Sequence, residues 1–156
     1  MPAPAQPLDF GILLALAYQN FVRDLRAHLA EQGFDDLGRS DGFVFRALGA
    51  RPMTVSDLAA RLDVTKQAAA QIIDDMQRRG YVVRTPDPDD RRAQRLELTA
   101  RGKSALAAAH RFHQRYERRL AGDHGAPALG ALREILGAMA TEPDQTPDPR
   151  LRALYL

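Results

Sequence analysis

The 156-residue chain contains no cysteine and no tryptophan, and only 2 of its 22 basic residues are lysine. Without cysteine the chain has no disulfide scaffold, no thiolate metal site, no cysteine nucleophile and no thiol-based redox sensor. Tryptophan-based recognition is closed as well. Long apolar runs are also missing. The longest near the start, Ile12 to Tyr18, is far short of the roughly 18 residues of a membrane span. The opening Met1-Pro2-Ala3-Pro4-Ala5-Gln6-Pro7 puts no basic residue ahead of an apolar stretch, which argues against a secretory signal. A cytoplasmic protein with no membrane partner is the expectation. No serine sits in a nucleophile-elbow setting and no glycine-rich phosphate loop is present, so an enzyme is not expected.

What is present is one domain's worth of chain, 45% hydrophobic, with a net charge of only +2. The near-neutral total conceals an uneven distribution. Residues 51–119 hold 15 bases and 9 acids, net +6, while residues 1–50 and 120–156 are each net −2. Arginine supplies 20 of the 22 bases; its planar fork suits phosphates and base edges, although GC-rich codon usage produces the same bias.

Apolar spacing predicts mainly helix. Phe10, Leu13, Leu14, Ala17, Phe21, Leu25 and Leu29 mark one face of a helix of about six turns that Gly33 ends. Ser40 is placed to cap a second helix carrying Phe43, Val44, Ala47 and Leu48, which stops before Arg51-Pro52. Two short helices follow, Val55 to Leu62 and Lys66 to Arg79, the second capped by Thr65 and ended by Gly80. Its core face is Ala69, Ile72, Ile73 and Met76. Tyr81 to Thr85 and Arg95 to Thr99 read as strands around the loop Pro86 to Gln94. A long helix from about Thr99 to Leu120 should bury Leu106, Ala109, Phe112, Tyr116 and Leu120. Leu129, Leu132, Ile135, Leu136 and Met139 form a last helical stripe, followed by a proline-containing tail, 141–150, and the apolar run Leu151 to Leu156.

Two helices joined by a short turn and followed by a two-stranded ribbon make a winged helix-turn-helix. The outward positions of the second helix are Lys66, Gln67, Ala70, Gln71, Asp74 and Arg78. Small residues at Ala68 and Ala70 permit close approach to base edges. Gln67 and Gln71 suit an adenine edge, Lys66 suits guanine or phosphate, and Thr65 can reach a phosphate. The same pattern also fits an ordinary solvated helix face. Arg91 and Arg92 at the ribbon tip suit a narrow minor groove, with one or more of Asp87, Asp89 and Asp90 pairing with a wing arginine to fix the loop.

The run Asp87-Pro88-Asp89-Asp90-Arg91-Arg92-Ala93-Gln94-Arg95-Leu96-Glu97-Leu98-Thr99-Ala100-Arg101-Gly102 resembles the wing signature of MarR-family transcriptional regulators. Val55 to Thr65 and Ile72 to Tyr81 resemble the same family's helix-turn-helix. The resemblance implies a single MarR-like chain, 1–156, mainly α with a small β-wing. Residues 8–33 and 122–156 would form dimerisation helices, 38–103 the DNA-binding region and 99–120 a connecting helix. It implies a homodimer on double-stranded DNA, a palindromic operator with half-sites about one helical turn apart, and most often repression. The family's wing residues map onto Asp90, as stabiliser, and Arg92, with Arg91 the alternative for the minor groove. A small phenolic or anionic effector is implied too, with Tyr18, Arg46 and His110 as pocket residues by position. No cofactor is expected. His110 and His113, at spacing i, i+3 with Glu117 beyond, are within reach of a shared metal but lack an obvious further ligand. Asp74 and Asp75 on the recognition helix repel phosphate. They favour the alternative of a small-molecule or metal-binding dimer of the same fold without operator binding.

Overall fold

The computed structural model describes residues 7–90 and 93–140, so Arg91, Arg92 and the tail 141–156 lie outside the described residues. The chain divides into two compact units between Asp35 and Asp36. The first contains α1 (Phe10–Glu31). Gly33, at φ +86°, ends α1 by letting its own N–H reach the Ala30 carbonyl and the Phe34 N–H reach Leu29, each at 2.9 Å. Much of the first half of the α1 apolar stripe is open to solvent, including Phe10, Leu13 and Ala17.

The second unit runs α2 (Asp41–Ala50), α3 (Val55–Leu62), α4 (Lys66–Arg78), β1 (Val82–Pro86), β2 (Gln94–Leu98), α5 (Ala100–His124) and α6 (Ala126–Ala140). Its core is made of Val44, Phe45 and Leu48 from α2, Leu58 and Leu62 from α3, and Ala69, Ile73 and Met76 from α4. Tyr81, Val82, Leu96 and Leu98 join them from the ribbon. Ile72, expected in the core, is only half-buried at the flank of α4. Ser40 occupies the N-cap position of α2 but makes no capping bond. The Asp41 carboxylate turns back instead, accepting from the Gly38 N–H at 2.8 Å. Thr54 and Asp57 form a reciprocal capping box on α3.

β1 and β2 pair antiparallel with Val82 opposite Leu98 and Arg84 opposite Leu96. Met53 adds a bridge on the other edge of Leu96, its carbonyl accepting the Leu96 N–H at 2.8 Å. The entry to the helix-turn-helix is thereby tied to the base of the wing. α5 extends four residues beyond Leu120, so residues 122–124 belong to it rather than to the last helix. Its buried stripe is Gly102, Ala105, Ala108 and Phe112. Leu106, Ala109, Tyr116 and Leu120 are half-buried. At Gly102 the reason is steric: the first turn of α5 lies so close to the Tyr81 carbonyl that a Cβ does not fit between them. α6 buries none of its residues, and Leu132, Ile135, Leu136 and Met139 stand exposed. Among the described residues no helix is long and apolar enough to cross a membrane.

Candidate nucleic-acid interface

The turn between α3 and α4 is set by Asp63, which adopts the left-handed conformation at φ 51° and ends α3. Thr65 then caps α4, its hydroxyl oxygen accepting from the Ala68 N–H at 3.1 Å. That bond engages the Thr65 side chain in the fold while leaving it exposed. Opposite the buried Ala69, Ile73 and Met76, α4 exposes Lys66, Gln67, Gln71, Asp74, Gln77 and Arg78 along its length. Ala68 and Ala70 are half-buried beside this face. The turn conformation and the amphipathic spacing together leave this polar face uncovered within the unit.

The acidic charges on and beside that face are compensated within the protein. Asp74 Oδ1 accepts from Arg84 Nη2 of β1 at 2.6 Å, and the other arm of Arg84 reaches Gln77 Oε1 at 2.9 Å. Asp75 accepts from Arg78 at 3.1 Å and from Arg79 Nε at 2.9 Å. Arg78, an expected DNA contact, is thus paired at its helix neighbour while staying largely exposed. Arg84 is a residue that sequence reasoning missed. Strand alternation carried the signal, since Arg84 lies two residues from the buried Val82 on the same face of β1.

In the wing, Asp87 and Asp89 both pair with Arg95, at 2.8 and 2.9 Å, and Asp87 Oδ1 also accepts from the Asp89 N–H at 2.9 Å. The expectation that carboxylates fix the loop through an arginine therefore finds Arg95 of β2 as that arginine. The Asp90 carbonyl closes the loop by accepting from the Ala93 N–H at 2.9 Å. The hydrogen bond from Arg95 holds the Asp87 carboxyl below the usual carboxylate range. Arg91 and Arg92, the expected minor-groove contacts, fall outside the described residues.

Behind α4, a second polar network fixes the helix end. Gly80, at φ +77°, lets the Tyr81 N–H reach the Met76 carbonyl at 2.9 Å, which turns the chain sharply into β1. Arg79 reaches across to the buried Asp41 at 2.6 Å and to the Asp36 carbonyl at 2.7 Å. The Tyr81 hydroxyl donates to Asp36 Oδ1 and accepts from Arg101 at 3.0 Å, while Arg101 lies over the Tyr81 ring. Burial first, and then the Asp36 carboxylate, push the Tyr81 phenol up to about 12. These partners lie 20 to 45 positions apart in sequence, so local pattern carried no sign of them.

Asp75 and Asp87 are both held below their ordinary 3.8, each chiefly by an arginine hydrogen bond. A depressed carboxylate contributes stability that is present above its unfolded pKa and lost as pH falls through its folded one. Stability should therefore decline as pH drops below about 4. Urea midpoints measured at pH 5 and pH 3 check this, and Asp75→Asn should flatten the difference.

The expected effector residues do not all meet. His110 helps line an open cavity of about 410 Å³ with Leu48, Arg51, Glu97, Lys103 and Leu106. Arg46 is not among its lining residues, and Tyr18 stands exposed on α1. Partial burial, followed by His110, lowers the His113 imidazole pKa. Glu117 is engaged with Arg133 at 2.6 Å. Among the described residues no three metal-ligating side chains come together.

A MarR family model matches residues 35–93, which include the helix-turn-helix and the first strand of the ribbon. The exopolysaccharide II synthesis transcriptional activator ExpG of Rhizobium meliloti (strain 1021) is 27% identical over 117 residues, 75% of this chain. That match spans 59% of the length of ExpG. Among solved structures, FabT of Streptococcus pneumoniae in complex with DNA superposes with a TM-score of 0.73 at 21% identity, covering 83% of this chain and 91% of FabT. The transcriptional repressor CouR bound to a 23-mer DNA duplex gives 0.67 at 28% identity, covering 85% and 93%. Wild-type MarR from E. coli gives 0.62 at 22% identity, covering 87% of this chain and all of MarR. The family match thus falls on the helix-turn-helix segment, and the winged helix-turn-helix fold of these solved structures is shared over most of the chain.

Proposed function

We propose that the protein is a sequence-specific DNA-binding transcriptional regulator that holds a palindromic operator as a homodimer and acts as a repressor. The observation that carries this is the polar face of α4, exposed opposite a buried face and backed by two arginine networks that hold the helix to the wing and to α2. α4 enters the major groove, with Thr65 and Lys66 at its leading end on phosphate or guanine, Gln67 and Gln71 at base edges, Ala68 allowing close approach, and Arg78 toward the backbone. The wing, stabilised by its aspartates including Asp90, reaches the minor groove through Arg92 or Arg91. The exposed apolar residues of α1 and α6 support the dimer, since a lone chain would leave Phe10, Leu13, Ile135 and Met139 in water. The cavity at His110 supports release by a small phenolic or anionic effector, because Arg51 and Lys103 line it beside Leu48 and Leu106. The reading without operator binding rested on Asp74 and Asp75. Both are compensated by arginines, so the face is not set against phosphate.

Titration of labelled promoter DNA at several salt concentrations tests the reading. Saturation is expected at two subunits per operator. Lys66→Ala should weaken binding to all duplexes alike and reduce the salt slope by about 1. Gln71→Ala should instead cost about 1–3 kcal/mol on the operator alone and relax preference at one base pair. Binding without sequence preference overturns the proposal.

A further inference from the structure

Asp74 has one carboxylate oxygen committed and one free. Oδ1 accepts from Arg84, whereas Oδ2 has no hydrogen-bond partner among the described residues, and the side chain is about half exposed. The carboxylate lies three positions beyond Gln71 on the exposed face, about 4.5 Å further along the helix axis. Arg84 is fixed in turn by its second arm on Gln77, so the fork spans i and i+3 of α4 from the neighbouring strand. A carboxylate left alone on a DNA-facing helix repels phosphate. One neutralised from behind by an arginine, with an oxygen still pointing outward, is an acceptor of defined position. In the major groove the group that an aspartate accepts from is the exocyclic amino group of cytosine.

We infer that Asp74 is a specificity-determining residue, reading a cytosine amino group through Oδ2 while Arg84 acts as its positioning residue. This rests on the proposed placement of α4 in the major groove. Asp74 accepts from the N4 amino group. The Arg84 fork removes the carboxylate's net charge and holds its aim. The same fork orients the Gln77 amide with its oxygen inward and its NH₂ outward, an acceptor and a donor side by side on one helix turn.

The test is selection of preferred duplexes from a randomised pool by the wild-type protein. Affinities of wild type, Asp74→Ala, Asp74→Asn and Arg84→Ala are then measured for the selected site and for each single base-pair change in it. One C·G pair in each half-site should be preferred by roughly 10-fold or more in wild type. Asp74→Ala should erase that preference while leaving the others intact, and Asp74→Asn should move it toward A·T, since asparagine suits an adenine edge. Arg84→Ala should weaken the same preference. If Asp74→Ala tightens binding to every duplex by one factor, the carboxylate only repels phosphate and the inference fails. An unchanged preference profile overturns it equally. A wild-type protein that selects no sequence refutes the placement of α4 itself, a result distinct from either. Asp74 is exposed, so its variants should fold, and unchanged thermal melts confirm that.

Discussion

Replacing Arg79 by alanine is expected to destabilise the protein by about 3–5 kcal/mol, the cost of stranding a buried charge. The partner left behind is Asp41, whose side chain is only 3% exposed. Arg79 holds it at 2.6 Å and in the same geometry binds Asp75 and the Asp36 carbonyl, so a single guanidinium joins the end of α4, the start of α2 and the chain leading into α2. Removing it leaves a carboxylate with one remaining partner shown, the Gly38 N–H, in a place that water reaches poorly. Lysine should not rescue the loss, because an ammonium cannot span the sites a planar fork reaches. Adding Asp41→Asn to Arg79→Ala should recover part of it, since the amide oxygen can keep the Gly38 bond without the charge. Urea denaturation at matched protein concentration measures this, and the melting temperature should fall by roughly 10 °C. A loss below 1 kcal/mol would show that the network is solvated and does not anchor α4.

The second large effect comes from adding one methyl group. A Cβ on Gly102 would lie 2.2 Å from the Tyr81 carbonyl oxygen and 3.3 Å from Leu98 Cβ. That carbonyl accepts the Thr99 N–H at 3.0 Å, and the Thr99 hydroxyl both caps α5 and donates to the Gly80 carbonyl at 2.6 Å. The first turn of α5 cannot retreat without breaking these bonds. On an open helix, alanine in place of glycine gains roughly 1 kcal/mol. Here overpacking decides the sign, and Gly102→Ala should cost about 2–3 kcal/mol. Gly122→Ala is the control: it lies on the same helix, in open space, and should stabilise slightly. Thermal melts of the two variants should move in opposite directions. Because the base of the ribbon, at Tyr81 and Leu98, meets α5 at Gly102, the variant that folds should also hold its wing less firmly and, on the proposed function, bind operator more weakly.

The two networks show where sequence reasoning reached and where it stopped. Every helix and both strands were legible, to within a few residues, from apolar spacing of three and four, period-two alternation and terminal residues such as Thr65 and Gly80. These are local signals, and helix and strand formation is largely a local matter. The buried stripe of α5 agrees with the pattern at Phe112 but otherwise differs, because apolar spacing favours large residues whereas the side that packs inward carries Gly102, Ala105 and Ala108. Ser40 looked like a cap, yet Asp41, one residue further on, is the group that bonds. Within the interface, the outward positions Lys66, Gln67 and Gln71 followed from periodicity alone.

The absence of cysteine closed thiol chemistry to the chain, and the basic residues are concentrated in residues 51–119, both read from sequence before any fold was known. Composition, periodicity and turn chemistry determined the helix-turn-helix and its wing, since each depends on residues within a few positions of one another. What the arginines do was decided only by tertiary structure. Arg84 compensates Asp74 across 10 positions, Arg79 compensates Asp41 across 38 and Arg101 meets Asp36 across 65. Such pairings depend on how helices and strands stack, and a charge count along the chain contains no distances. The basic residues that only add up to a net charge in sequence are divided by the fold. Some anchor α4 and the wing, while Lys66 and the glutamines of α4 stand exposed on the face proposed to meet DNA.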